Sequence, residues 1–368
     1  MASAFGLILC VICLAFLHSA LGLAQTPLAT RANDTITREL FFELEELARI
    51  VDISYCVGTA GLGIQKPFSC ASHCGDEDFK DFELVTAWNT GPLFSDSCGY
   101  IALSHPPSRP RIILAFRGTY SIANTIVDLS TIPQEYVPYP GDDDDGATSD
   151  FLAPSPPPTA ADEPPPADPP KCTNCTVHTG FYSSWLNTRK AILPALTEAI
   201  EAHPDYEIVL VGHSLGGAVA ALAALDLKAR GWSPRITTFG EPRVGNAELM
   251  AYINARFNIS SNRETNLYHR VTHYDDPVPL LPLAEWGYTM HSEELFISQA
   301  GFTAGGGGYP PLRGRRRQQV YRWDGRRRPE LGDYFWRLGL CVPGGDPKDW
   351  YRKYPKQPDE DVQEIDEL

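Results

Sequence analysis

The strongest chemical signal in the chain is a run of five residues, Gly212-His213-Ser214-Leu215-Gly216. It fits the Gly-x-Ser-x-Gly pattern, in which a serine is exposed on a sharp turn between a strand and a helix. The flanks supply that context. Glu207–Val211 reads Glu-Ile-Val-Leu-Val, a strand of the kind buried on both faces in a parallel sheet, and Ala218–Lys228 reads as an Ala/Leu helix. Glycine on both sides of the serine lets strand and helix backbones approach closely. The helix start turns amide donors and a positive dipole end toward the reacting oxygen. Ser214 is therefore the candidate nucleophile. His213 reads as a packing or hydrogen-bonding neighbour, because adjacent residues on such a turn point apart.

A serine nucleophile needs a base and a carboxylate that orients it, and hydrolases of this kind place them in the order Ser, acid, His. After Ser214 the run Leu267–Val271 predicts a strand, followed by His273-Tyr274-Asp275-Asp276-Pro277-Val278-Pro279. Asp275 and Asp276 compete for the acid. Pro277 fixes the backbone behind Asp276 and favours it. His269 and His273 precede the acid, so chain order elects His291. That residue, however, comes before a strand-like run, Glu294–Ser298, whereas the base normally follows the last strand.

The elements that must hold these groups read as α/β. Asn33–Ile50 predicts an amphipathic helix with Asn33, Thr35 and Thr37 as cap candidates. Phe82–Trp88, Gly99–Ser104 and Arg111–Phe116 predict strands, Gly180–His203 a helix, and Ile236–Phe239 a further strand. Strands alternating with helices make an α/β sandwich around one core.

Much of the rest lies outside that core. Residues 1–23 read as a secretory signal peptide: the apolar run Phe5–Leu17 is too short for a comfortable membrane span and small residues follow it. The chain is thus expected to be exported and extracellular, with no membrane span. In the insertion 137–171, residues 137–170 carry eight acidic residues and no Lys or Arg, with nine prolines between Pro154 and Pro170, and the stretch reads as extended and solvated. The tail 355–368 sets six acidic residues against one Lys. These two stretches hold −13 of the formal charge of −15. Composition excludes a disordered or fibrous chain and argues against a nucleic-acid binder. Outside the signal, seven cysteines remain. In an oxidising compartment the close pairs Cys70/Cys74 and Cys172/Cys175 read as disulfide loops; the few histidines near them do not make a zinc site. No metal or other cofactor is expected. Asn33, Asn174 and Asn258 open glycosylation sequons.

Beside the Ser214 turn stand further landmarks: Phe116-Arg117-Gly118-Thr119, Val177-His178-Thr179-Gly180-Phe181 with Trp185, Phe239-Gly240-Glu241-Pro242-Arg243-Val244-Gly245-Asn246, Asp276-Pro277-Val278-Pro279 and the closing run Asp333–Cys341. In this order they resemble the class 3 fungal lipases, a branch of the α/β-hydrolases. The resemblance spans roughly Cys56 to Cys341. It implies an α/β-hydrolase sandwich, with a mostly parallel central sheet and helices on both faces, as one domain over residues 24–354. It also implies Ser214 as nucleophile, Asp276 as acid, and the Thr119 and Leu215 amides as the oxyanion hole. Ile122–Leu129 matches the family's lid, with Ile122, Ile126 and Leu129 on its apolar side; the plainer alternative is a surface helix packed on the core. The disulfides implied are Cys56–Cys341, Cys70–Cys74 and Cys172–Cys175, leaving Cys98 over.

One position departs from the pattern. The family's catalytic histidine lies three residues before the Tyr of the closing run, and here that residue is Leu331. No histidine follows His291, which matches a non-catalytic position of the family. The preceding segment is unusual: Arg313–Arg328 holds eight arginines and one acid, behind a run of four glycines. The lost histidine, the Gly/Arg composition and the odd cysteine together suggest that residues 303–331 are a mistranslated stretch, such as a retained intron or shifted frame. The expected function is a secreted serine carboxylic-ester hydrolase, foremost a triacylglycerol lipase, acting on lipid or ester substrates, with a lipid–water interface as the setting. A feruloyl esterase or phospholipase of the same family is the alternative, and a catalytically impaired lipid-binding relative is the rival should Leu331 be genuine.

Overall fold

The computed structural model describes residues 36–58, 63–91, 97–119, 133–139, 172–273, 276–291, 293–297, 312–315, 338 and 341. All of them lie in one compact unit, Thr35–Leu368. The chain enters with helix α1, Arg38–Ile53, capped by Thr37, whose Oγ1 accepts the Leu40 N–H at 3.2 Å. The helix starts later than the apolar spacing suggested because, of the three cap candidates, Thr37 is the one that takes the first orphan donor.

An eight-stranded sheet follows, built from β1 (Phe82–Asn89), β2 (Cys98–Ser104), β3 (Arg111–Phe116), β6 (Glu207–His213), β7 (Arg235–Phe239), β8 (Tyr268–His273), β9 (Glu294–Ile297) and β10 (Leu312–Arg315), in that spatial order. β3, β6, β7, β8 and β9 run parallel; β1, β2 and β10 pair antiparallel at the edges. A separate hairpin pairs β4 (Pro133–Glu135) with β5 (Thr176–His178). It brings together the two sides of the Asp/Pro-rich insertion. β10 lies inside the Gly/Arg-rich segment 303–331; its backbone pairs with β9 in register Leu312 to Ile297.

Two cores lie on opposite faces of the sheet. Along β3, Ile112, Leu114 and Phe116 join helices α2 (Thr179–Ala202), α3 (Leu215–Ala229) and α4 (Ala247–Arg256). The alternate residues Ile113 and Ala115 join α1 on the other face. Both faces of the central strands are thus covered, which is why they read as unbroken apolar runs. Helix α3 is buried from Leu215 to Leu227, sandwiched between the sheet and α2. Asp226 on α3 accepts from Trp185 Nε1 and Arg189 Nη1 of α2, at 3.2 and 3.1 Å, and pairs with Arg230. A buried charge so partnered pins the two helices in one register. Among the described residues no helix is long and apolar enough to cross a membrane.

Candidate active site

The parallel strands β3, β6, β7 and β8 end on one edge of the sheet, and the chemistry gathers there. Ser214 follows β6 directly and opens α3, with φ 52° and ψ −127°. A non-glycine residue at positive φ is strained, and surrounding bonds must hold it. Its N–H donates to Phe239 O at 2.9 Å, and its carbonyl accepts from Gly217 N at 2.8 Å. The glycines around it are there for lack of space. A Cβ on Gly212 would stand 2.3 Å from Gly216 O, and one on Gly216 would stand 2.4 Å from Phe116 O.

Gly118, two residues past β3, completes the junction. A Cβ there would lie 2.7 Å from His213 O and 3.0 Å from Cβ of Ser214. The β3 exit is therefore pressed against the serine, which brings the next residue, Thr119, beside it. Leu215 is the first residue of α3, where amide groups have no intrahelical acceptor. Both backbones are thus at hand for an oxyanion. The same Gly118 position lies 2.4 Å from Tyr55 Oη, which hydrogen-bonds His213 Nδ1. His213 is buried, and burial pushes its imidazole down to about 3, so it stays neutral near pH 7. Ser214 itself is 3 % exposed.

Asp276 is buried just beyond β8. Its N–H donates to His273 O at 3.2 Å and its Oδ1 accepts the Val278 N–H at 2.9 Å. Asp275 lies outside the described residues. His291 is buried next to Glu241, with Nε2 3.3 Å from Glu241 Oε1. Thr238 Oγ1 and Tyr268 Oη both donate to Glu241 Oε2 at 2.6 Å. Burial alone would raise this carboxyl, but the His291 charge and the donated hydrogen bonds outweigh it and hold the carboxyl below its ordinary value. The His291 ring packs on Tyr268 at 4.3 Å, and its carbonyl accepts from Arg270. His291 is thus engaged with a carboxylate other than the one the chain order assigned to it.

The arrangement of a strained serine and a buried acid, on adjacent-but-one parallel strands, has counterparts of known kind. The model of the family Lipase (class 3) matches residues 113–286. A secreted mono- and diacylglycerol lipase 2 of Gibberella zeae is 45% identical over 86% of this chain and 86% of its own length. The chain belongs to the class 3 lipase family. Lipase A of Sodiomyces alcalophilus is 43% identical, covering 94% of this chain and 93% of its own. Among solved structures, the Lip2 lipase of Yarrowia lipolytica superposes with a TM-score of 0.64 at 31% identity, covering 84% of this chain and 97% of its own. The α/β-hydrolase fold and the class of lipase, a carboxylic-ester hydrolase whose substrates are lipid esters, follow from that membership.

Other features of a class 3 lipase fall into place around the site. Disulfides join Cys56 to Cys341, Cys70 to Cys74 and Cys172 to Cys175; Cys98, the remaining thiol, is buried at the start of β2. Cys56 adjoins Tyr55, so the bond to Cys341 ties the closing run to the residue that braces the serine turn. His178 caps α2, accepting from Phe181 N at 3.4 Å and stacking on that ring; burial pushes it down to about 4. Asn174 and Asn258, of the sequons, are exposed, each at positive φ. The lid residues Ile122, Ile126 and Leu129, and Leu331, lie outside the described residues. Sequence reasoning missed Tyr55 and Glu241. Glu241 lay within a quoted landmark, and its burial among residues of two strands had no local signature.

Proposed function

We propose that this lipase cleaves acylglycerols through an acyl-enzyme on Ser214. The serine Oγ attacks the ester carbonyl while its proton passes to an imidazole. The oxyanion is met by the amides of Thr119 and Leu215, each worth about 3 kcal/mol of barrier when aimed at the developing charge. The alcohol leaves with the proton, and water then attacks the acyl-serine to release the acid. Asp276 orients the imidazole and stabilises its charge. The observation that carries this reading is the backbone of Ser214, held at φ 52° with Gly118 against its Cβ. Strain of this kind persists where a function selects it. The relative named as a mono- and diacylglycerol lipase supports partial glycerides as substrates alongside triacylglycerols. Its being named secreted, with the apolar start of this chain and three disulfides, supports residues 1–23 as a signal peptide and an extracellular product.

The base is the open part. It is left unassigned: the family's histidine position is Leu331, within the stretch 303–331 that we read as mistranslated, and His291 is the fallback. Sequencing the transcript across codons 300 to 335 tests this; an in-frame match to the present sequence overturns it. A second reading, a lipase-like protein that binds lipid without turning it over, is favoured by the Glu241 contact of His291 together with Leu331. Hydrolysis of short- and long-chain p-nitrophenyl esters, feruloyl esters and phosphatidylcholine, with Ser214→Ala as control, separates the readings. Serine-dependent turnover favouring glyceride-like esters supports the first. Turnover unaffected by Ser214→Ala overturns it.

A further inference from the structure

The loop that leaves the acid carries apolar surface the reaction does not account for. It runs from Asp276 to Tyr288 and is tightly held. Arg243, in the loop after β7, donates its N–H to Leu281 O at 2.7 Å, and its Nη1 to Leu280 O and Pro282 O at 2.6 and 2.7 Å. Thr289 N donates to Gly245 O at 2.9 Å, and Val278 and Tyr288 are buried. From this fixed base rises one 3-10 turn, Ala284–Trp286, closed by Trp286 N on Leu283 O at 3.1 Å. Leu283 is the N-cap of that turn and Trp286 its last residue, so the two flank one short turn. They are 40% and 48% exposed, whereas the loop's other large apolar side chains are turned inward or half-covered.

We infer that Leu283 and Trp286 form a fixed apolar prong that seats the enzyme on a neutral lipid surface, beside the site and independently of the residues that do the chemistry. Three observations carry this. The loop leaves the end of β8, the sheet edge from which Ser214 leaves β6, so the connection that carries the prong begins at the acid. Between Leu281 and Tyr288 the sole charge is that of Glu285, which gives no reason for attraction to an anionic surface. The indole suits the boundary itself, with an apolar body and one N–H for a polar group. Because Arg243 already holds the backbone, insertion orders nothing further, and the burial of two apolar side chains is retained as affinity.

The inference rests on the lipase reading for the kind of surface, and its test does not depend on turnover. In the Ser214→Ala background, binding to a triolein emulsion stabilised by phosphatidylcholine is measured by flotation, for the parent and for Leu283→Ser/Trp286→Ser. The double substitution should raise the lipid concentration for half-binding by about tenfold or more, with the thermal midpoint unchanged. Trp286→Phe alone should keep most of the binding. Equal binding by parent and double variant overturns the inference, as does a parent that does not float. So does a concentration-dependent dimer, seen by sedimentation, that the double variant abolishes, since the prong would then serve a second copy. With Ser214 intact, the double variant should hydrolyse a soluble short-chain ester at the parent rate. Failure of esterolysis alongside prong-dependent flotation would sink the catalytic reading and leave the prong standing.

Discussion

Ser214 and His291 are both buried polar residues, Ser214 at the end of β6 and His291 ahead of the start of β9, yet their surroundings differ in kind. Around Ser214 the constraints are steric: Gly212 and Gly216 on either side, and Gly118 across from it, each with backbone where a side chain would be. Around His291 the constraints are electrostatic, with Glu241, Thr238, Tyr268 and Arg270 drawn from two strands and a loop. A steric constraint selects one residue type and leaves a motif. An electrostatic one can be met by several residue types and leaves none. The nucleophile side of the site therefore announces itself, while the base side has to be tested.

The largest effect should come from supplying the base. Leu331→His raises kcat toward soluble esters by roughly three orders of magnitude if the nucleophile side is already competent, since triad loss leaves only the residual catalysis of the oxyanion hole and binding. No rise breaks the comparison, because it counts against Leu331 as the position of the base. His291→Ala is the complementary experiment. As a structural partner of Glu241 it should cost about 2 kcal/mol of stability, the penalty for leaving a buried polar group without its partner. The specific activity of the protein still folded should not change. A loss of activity by more than about a hundredfold at unchanged stability would make His291 the base after all.

These contrasts explain what could be read in advance. β3 was legible residue for residue, because a strand covered on both faces must be apolar throughout. The helix after the turn was placed to begin at Ala218, and α3 begins at Leu215, since a chain leaving the serine turn has no room for an intervening loop. β4 and β5 escaped: three-residue strands joined across a Pro/Asp-rich insertion carry too short a pattern to register. α4 escaped as well, although Asn246 caps it by accepting the Leu249 N–H at 3.1 Å. Pro277 pointed to Asp276, which lies buried just beyond β8. The Glu241 contact of His291 was not legible, because 50 residues of chain separate two groups that meet only after β7 and β8 pair.

Gly216→Ala sharpens the steric side. Its Cβ would meet the carbonyls of Phe116 and Arg117 at 2.4 and 2.5 Å, which are backbone and cannot swing aside. A loss of about 2–3 kcal/mol in chemical denaturation is expected, with activity falling further than stability because Thr119 moves with that strand exit. A neutral outcome would mean that the junction is looser than its contacts imply.

Acid should act on both sides at once, and the sign is the same for each. His213 and His178 are held down to about 3 and 4, against an unfolded value near 6.5, so each stays neutral in the folded state while the unfolded chain takes up a proton. Their contribution is complete above about pH 6.5 and is lost as pH falls from there toward 4. Glu241, whose carboxyl is lowered, adds a loss that begins only below its unfolded value near 4.5. Urea midpoints measured from pH 7 to 4 should decline throughout, and His213→Asn should flatten the upper part of that decline. A midpoint level between pH 6.5 and 5 would contradict the burial of these imidazoles.

The smallest effect falls where the two kinds of support meet. Tyr55 touches the steric junction at Gly118 and donates or accepts at His213 Nδ1, and its neighbour Cys56 is bonded to the closing run. Tyr55→Phe keeps the ring and removes one buried hydrogen bond, which costs about 1 kcal/mol. If the hydroxyl merely satisfies His213, that stability change is the whole effect and kcat is unaltered. If it also sets the distance between the β3 exit and the serine, kcat falls several-fold with KM unchanged, because the oxyanion donors matter in the transition state and not in the ground state. The latter is expected, since the Oη is packed against Gly118 as well as hydrogen-bonded to His213, the two residues next to the β3 exit and the serine.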